Sequence, residues 1–270
     1  MDIMELLQYT FIQKAFLAGS LIAITCAVLG VFLVLKKMSL IGDGLSHLSF
    51  GGIALGLFFG VFPTLIAIPV VLLGSILILK ISKTAKVYGD SAIGIVSAVG
   101  ISGGVILASL SKGFNVDLFG YLFGNILAIS NTEVILSLIF SLLVLAFIFF
   151  FYWDLFSSTF DEEYATASGI NTNFTNIILS LLTGITVVLS VKVVGVMLVS
   201  ALLIIPAVTA LQFGKSFKVS LVISAFLSLV SVLFGILLSF QLDIPTGATI
   251  VMINVIFFVI TLILRKTKLL

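Results

Sequence analysis

MSLIGDGLSHLSFGGIALGLFFG, residues 38–60, is the stretch from which the fold follows. It is apolar enough to enter a membrane, yet it holds Asp43 and His47, the only histidine of the chain. The two are four residues apart, so on a helix their side chains share one face. Lys36 and Lys37 precede them and favour a water interface. Counted from there, Asp43 is predicted about 9 Å deep and His47 about 15 Å deep, near the middle of a hydrocarbon core of about 30 Å.

The composition is that of a membrane protein. Of 270 residues, 61% are hydrophobic and 9% charged, and the mean hydropathy is +1.40. Soluble domains are less apolar and far more charged, and the continuous apolar runs are unlike the alternating strands of a membrane barrel. We therefore predict an all-α polytopic membrane protein that forms one transmembrane domain over residues 1–270.

The composition also excludes several functions. A net charge of +2 gives no reason to expect nucleic-acid binding. The single cysteine, Cys26, cannot form a disulfide within one chain and argues against a cysteine metal site. The chain has no GxxxxGK[ST] phosphate loop. If ATP drives transport, another chain must hydrolyse it, and we expect neither enzymatic activity nor a permanently bound cofactor here.

The hydropathy pattern predicts nine transmembrane helices. Residues 117–129 form a shorter apolar piece with Gly120, Gly124 and Asn125, which we interpret as re-entrant or interfacial. Pro206 lies inside the seventh span and is predicted to kink it. The nine spans are residues 14–35, 39–60, 64–81, 91–110, 133–153, 175–191, 193–213, 219–240 and 245–264.

The basic residues orient these spans. With nine spans, most of them fall on one side of the membrane, and Lys14, Lys112 and Lys192 fall on the other. The positive-inside rule makes the richer side cytoplasmic, so the N-terminus is predicted outside and the C-terminus inside. The residues of the richer side are Lys36, Lys37, Lys80, Lys83, Lys86, Lys215, Lys218, Arg265, Lys266 and Lys268.

The longest polar stretch, DLFSSTFDEEYATASGINTN at residues 154–173, lies on the predicted cytoplasmic side. Thr159 and Glu162 have the spacing of a capping box. Acidic residues load the first turn, and Gly169 is a suitable C-terminal stop. We predict a helix of about nine residues, within residues 157–170. Its apolar Phe160 and Tyr164 favour a docking element for a cytoplasmic partner, and the alternative is a surface turn between two spans.

Four segments together resemble one family. They are MSLIGDGLSHLSFGGIALG at residues 38–56, DEEYATASGI at 161–170, KVVGVMLVSALLIIPAVTA at 192–210 and IPTGATIV at 244–251. The chain is similar to the permease subunits of bacterial ABC importers for zinc, manganese and iron(II). The SFGG form, Ser49–Gly52, is most similar to zinc importers.

The resemblance implies the partners and the site. It implies a homodimeric permease in the lipid of the bacterial plasma membrane, with two copies of a cytoplasmic ATPase and an extracellular or periplasmic metal-binding protein. The metal-gate residues match Asp43 and His47. The helix within residues 157–170 would be the coupling helix, which contacts the ATPase. Its matching residues are Asp161, Glu162, Glu163, Tyr164 and Gly169.

A carboxylate with an imidazole suits zinc, manganese or iron(II). Two ligands per chain are too few for a closed tetrahedral site, whereas two chains about a two-fold axis would offer four. Other interpretations stay open at this point. The pair could be a hydrogen bond between helices that never meets metal, or the proton relay of an ion-coupled secondary metal transporter. A larger cargo, such as haem or an iron chelate, fits the small pair poorly.

Overall fold

The computed structural model describes residues 9–85, 88–110 and 118–267, and the regular structure of these residues is helical. A short 3₁₀ helix covers Ile126–Ala128. The α-helices are α1 (Thr10–Leu35), α2 (Ile41–Phe58), α3 (Pro63–Thr84), α4 (Gly89–Leu110), α5 (Leu118–Phe123), α6 (Asn131–Phe150), α7 (Tyr152–Phe160), α8 (Glu162–Ala167), α9 (Thr172–Val194), α10 (Val199–Gln212), α11 (Phe217–Leu242) and α12 (Thr246–Lys266).

Among the described residues, seven helices are long and apolar enough to cross a membrane: α1, α3, α4, α6, α9, α11 and α12. This confirms the all-helical membrane class. The other two predicted spans correspond to α2, whose first half carries Asp43 and His47, and to α10, which has 14 residues. The nine-span count and the orientation therefore stay predictions.

The bundle is built around three central helices. Most residues of α1, α2 and α9 are buried, whereas α4 and α12 keep most of their residues on the outside. Buried side chains from α1, α2, α9 and α10, including Leu29, Leu45, Val187 and Leu203, belong to one apolar core. The outer helices thus supply the surface that faces lipid or other subunits.

The predicted span at residues 193–213 is not one helix. Helix α9 continues to Val194, the chain turns at Gly195 with φ of 88°, and α10 begins at Val199. Helix α10 then continues through Pro206, which is buried. The interruption in this stretch therefore lies at the glycine, because only glycine adopts such a φ at little cost.

The short apolar piece at residues 117–129 packs against this turn. Asp117 lies outside the described residues, and α5 and the 3₁₀ helix are too short to span, as predicted. The N–H of Val196 donates to the carbonyl of Tyr121 at 3.0 Å, and that of Met197 donates to the carbonyl of Leu122 at 3.2 Å. A Cβ at Gly195 would lie 2.4 Å from the backbone nitrogen of Gly124, so this contact requires glycine.

The opposite end of the bundle gathers basic side chains with amide side chains. The ammonium of Lys36 donates to Asn176, and that of Lys83 donates to Asn173. Both asparagines lie in the first turns of α9. The ends of α1 and α3 are therefore held against the start of α9, and α8 lies at the same end.

Candidate metal gate

The two predicted ligands lie near the start of α2. The helix begins at Ile41, and residues 36–40 form a turn. The helical rise is therefore only about 3 Å to Asp43 and about 9 Å to His47, less than counting from Lys37 predicted. Asp43 lies in the first turn, where the positive end of the helix dipole stabilises a carboxylate.

The side chains of Asp43 and His47 point the same way. Nε2 of His47 lies 3.7 Å from Oδ2 of Asp43, and the side chains are 16% and 43% exposed, respectively. The predicted helical face is thus confirmed, whereas the role of the pair as metal ligands stays a prediction. Both donors are accessible from one side, so an ion arriving there can meet an oxygen and a nitrogen together.

Sequence analysis missed a third polar group at this site. The hydroxyl of Ser200, in the first turn of α10, donates to Oδ1 of Asp43 at 3.5 Å. The hydrogen bond uses one carboxylate oxygen and leaves Oδ2, which faces His47. No signal in the sequence pairs two residues that are 157 positions apart.

Glycines hold the backbone of α2 against its neighbours. A Cβ at Gly42 would lie 2.5 Å from a methyl group of Leu203 in α10, and one at Gly44 would lie 2.5 Å from a methyl group of Ile93 in α4. Glycine lowers helix propensity by about 1 kcal/mol relative to alanine, but it lets helix backbones approach closely in a membrane. Helix α2 is thus positioned by α4 and α10.

One chain supplies only part of a metal site. Among the described residues, no group of three or more His, Cys, Asp or Glu side chains lies close enough to hold an ion. Asp43 and His47 together offer one oxygen and one nitrogen, and a tetrahedral zinc site needs four ligands. Such a pair can hold an ion briefly, or can complete a site with ligands from another chain.

The predicted coupling segment differs from its prediction in two respects, the capping residue and the length of the helix. Thr159 lies inside α7, and its hydroxyl donates to the carbonyl of Leu155. The predicted capping box of Thr159 with Glu162 is therefore wrong. Asp161 caps α8 instead, and its Oδ1 accepts the N–H of Tyr164 at 2.9 Å. The segment is two helices that meet at Asp161, with six residues in α8.

The end of α8 and its outer face agree with prediction. Gly169 has φ of 89°, and the N–H of Ile170 donates to the carbonyl of Ala165 at 3.0 Å, which closes the helix as a Schellman motif. The side chain of Tyr164 is 68% exposed, and Glu163 is exposed as well. These residues form an outward face at the end of the bundle, next to the exposed Phe160.

Glu162, although exposed, is also bonded to the start of α9. Its Oε1 accepts a hydrogen bond from Nδ2 of Asn176 at 2.9 Å, and Oδ1 of Asn176 accepts from the ammonium of Lys36. Burial lowers the pKa of the Lys36 ammonium, and the nearby Glu162 carboxylate raises it. Sequence analysis placed Glu162 on the docking surface, whereas the structure also connects it to the end of α1.

The chain matches a known protein family over nearly its whole length. A model of the ABC 3 transport family matches residues 8–265. The chain belongs to the ABC 3 transport family. With seven helices long and apolar enough to span, this ABC 3 chain is a multi-pass protein of the bacterial inner membrane.

Relatives of this ABC 3 chain are named for two metals. The manganese transport system membrane protein MntC of Halalkalibacterium halodurans is 35% identical over 249 residues, with 92% of this chain and 85% of that protein covered. The high-affinity zinc uptake system membrane protein ZnuB of Haemophilus influenzae is 34% identical over 258 residues, with 96% and 99% covered.

A solved structure has the same fold. PsaBC from Streptococcus pneumoniae, in complex with a Fab, matches with a TM-score of 0.87 at 32% identity, over 96% of this chain and 93% of that one. The family resemblance found in the sequence is therefore confirmed.

Proposed function

We propose that the chain is the membrane-spanning permease of an ABC importer that carries a divalent transition metal ion into the cytoplasm, and that Asp43 and His47 form half of its gate. The observation that carries the proposal is the pair itself: a carboxylate and an imidazole 3.7 Å apart on one face of α2. Oxygen and nitrogen donors of this kind suit zinc, manganese and iron(II).

The pair suits a passing ion better than a resident one. A gate must bind its cargo well enough to admit it and weakly enough to release it. Two ligands in one chain give a weak site, and a second copy across a two-fold axis would complete four ligands. The metal would be held only while both pairs face each other.

Zinc is our first candidate for the cargo, and manganese is the next. The SFGG form of residues 49–52 favours zinc, and relatives named for manganese and for zinc are about equally similar to this chain. Both metals accept carboxylate and imidazole ligands. The choice between them depends on the transport assay described below.

The energy source and delivery would come from other chains. The exposed face of α8, with Glu163 and Tyr164, offers a short, capped helix to a cytoplasmic ATPase. Membership of an ABC family supports two copies of such an ATPase and an external metal-binding protein as partners. A secondary transporter with Asp43 and His47 as proton relay is not favoured, because the family model that covers residues 8–265 is that of an ABC transport family.

The experiment reconstitutes the chain in liposomes with its ATPase and its binding protein. Uptake of Zn²⁺ is measured with Mn²⁺ as competitor, with and without ATP, and with and without a proton ionophore. The variant is His47→Ala, and the control is Thr249→Ala, whose hydroxyl donates to the carbonyl of Pro245 one turn back. Co-purification of the ATPase reports assembly.

We expect ATP-dependent uptake that the ionophore leaves unchanged. His47→Ala removes the only nitrogen ligand at the gate and should abolish uptake while the ATPase still co-purifies, and Thr249→Ala should behave as wild type. Normal uptake by His47→Ala would refute the gate. Loss of uptake with the ionophore would favour the secondary transporter, and stronger competition by Mn²⁺ than by Zn²⁺ itself would reverse the order of the metals.

A further inference from the structure

Three side chains connect the coupling segment to the helix before the gate. Oε1 of Glu162 in α8 accepts from Nδ2 of Asn176 in α9, and Oδ1 of the same amide accepts from the ammonium of Lys36 at the end of α1. Because the amide uses both of its ends, it joins a carboxylate to an ammonium. Hydrogen bonds to charged groups are about twice as strong as neutral ones, and the end of the connection at Lys36 is partly buried.

The inner end of the connection is a corner of the chain. Lys36 is the C-cap of α1, and Lys37 has a left-handed conformation with φ of 58°. The N–H of Met38 donates to the carbonyl of Leu33 at 2.8 Å, which completes a Schellman motif around Lys37. Glycine usually occupies such a position, so the corner holds a strained lysine.

The gate follows directly from this corner. The N–H of Ile41 donates to the carbonyl of Met38 at 3.1 Å, and that of Asp43 donates to the carbonyl of Leu40 at 3.1 Å. No flexible linker separates the corner from α2, so a rotation at Lys37 changes the direction of the helix that carries Asp43.

There is also space beside the corner. A cavity of about 290 Å³ lies between the α1–α2 corner and the α7–α8 segment. Lys36, Lys37, Glu162 and Asn176 are among its lining residues. The side chains of Lys36, Glu162 and Asn176 therefore have room to shift when α8 moves, without a clash in the core.

A second bond at the same end provides a comparison. The ammonium of Lys83, at the end of α3, donates to Oδ1 of Asn173 in the first turn of α9. It has the same donor type and acceptor type as Lys36 and Asn176. In the described structure, however, Asn173 makes no bond to α8, so this pair does not continue to the coupling segment.

We propose that Glu162, Asn176 and Lys36 form a relay by which a displacement of α8 reaches the α1–α2 corner and re-aims the gate residues. The relay rests on the proposed function, since it connects the ATPase-facing helix to the metal gate. Lys36 and Asn176 act here as positioning residues. Pulling α8 outward draws Asn176 and Lys36 with it, and the corner at Lys37 turns.

The test compares matched variants in the reconstituted complex with its ATPase and binding protein. Lys36→Met and Asn176→Leu break the relay, and Lys83→Met and Asn173→Leu break the comparison bond. Zn²⁺ and Mn²⁺ are offered in separate runs. The measured quantities are metal ions taken up per ATP hydrolysed, and the amount of ATPase that co-purifies.

We expect Lys36→Met and Asn176→Leu each to lower the number of ions per ATP by about three- to tenfold, with the ATPase still bound. The double variant should lose no more than the more impaired of the two single variants, because both residues act in one connection. Lys83→Met and Asn173→Leu should keep the wild-type ratio. Lys36→Arg, which keeps a cation donor, should retain most of the coupling.

A wild-type ratio in Lys36→Met would overturn the relay, and so would an equal loss in Lys83→Met. Dissociation of the ATPase from Asn176→Leu would also overturn it, because the residue would then serve docking. If the Lys36→Met variant does not assemble with the ATPase, Asn176→Ala tests the relay instead, because it breaks the same connection without a change of charge. A wild-type complex that moves neither metal would instead overturn the proposed function.

Discussion

Ser200 holds the carboxylate of Asp43, a proposed gate residue, through a single hydroxyl. Its bond to Oδ1 of Asp43 is 3.5 Å long, at the outer limit for a hydrogen bond. It nevertheless ties the start of α10 to the first turn of α2 and leaves Oδ2 free to face His47. Side chains that hold a metal ligand in place fix its orientation and so contribute to metal affinity.

Ser200→Ala should therefore weaken metal binding at the gate without abolishing transport. Outer partners of metal ligands are worth about 10–100-fold in affinity, and the long bond places this one near the lower end, at about tenfold. The effect should be a higher KM for the metal with kcat nearly unchanged. Ser220→Ala is the matched control, because the Ser220 hydroxyl is buried and bonded within its own helix. An unchanged KM in Ser200→Ala would remove Ser200 from the gate.

Residue-level prediction succeeds where the partners are close in sequence. Asp43 and His47 are four positions apart, and helical geometry alone places them on one face. The end of α8 at Gly169 follows from the same local rules. Ser200 and Asn176 could not be found this way, because their partners lie on helices that meet only in the folded bundle.

The contact between α4 and α2 explains two of the glycines of α4, Gly100 and Gly104. A Cβ at Gly100 would lie 2.5 Å from the Cα of Leu48 and 2.7 Å from the carbonyl oxygen of His47. These are backbone atoms, so the two helices touch directly behind the gate residue. The sequence indicates that such a helix can pack closely, but the helix that it packs against is visible only in the structure.

Gly100→Ala should push α4 away from α2 and displace His47. Overpacking of a close contact costs about 1–3 kcal/mol, so we expect a lower unfolding temperature in detergent together with reduced metal uptake. Gly103→Ala is the matched control on the same helix, since its Cβ would meet nothing within 4 Å. Equal effects of the two substitutions would mean that α4 matters through its own flexibility rather than through this contact.

Element boundaries were predicted less well than the elements themselves. The spacing of Thr159 and Glu162 satisfies a capping box, but Thr159 bonds back into α7 and Asp161 takes the cap. The break between two predicted spans was likewise placed at Lys192, whereas the helix continues to Val194 and the chain turns at Gly195. Capping residues compete locally, and apolar composition does not distinguish a helix from a turn that is buried against a second short segment.

At the scale of the whole molecule, one chain is an incomplete transporter. It carries two proposed gate ligands where a tetrahedral site needs four. Helix α8 lies on the surface at one end of the bundle, and seven of the described helices are long and apolar enough to cross a membrane. The proposed homodimer would bring two pairs of ligands together about its axis, because a two-fold interface repeats each residue of one copy in the other. The arrangement makes metal binding depend on how the two copies are placed, which an ATPase below them can change.

This dependence is testable with mixed complexes. Two differently tagged copies, one wild type and one His47→Ala, are co-expressed with the ATPase and purified by both tags in sequence, and uptake is compared with doubly tagged wild type. If the two copies share one site, the mixed complex loses one of four metal ligands. Loss of a residue that only orients a ligand costs about tenfold in metal affinity, so loss of a ligand itself should lower uptake by at least about tenfold. Separate sites would act additively, so the mixed complex would keep about half of wild-type uptake. A value near half would mean that each copy carries its own ion, and the gate would then have to be completed within one chain.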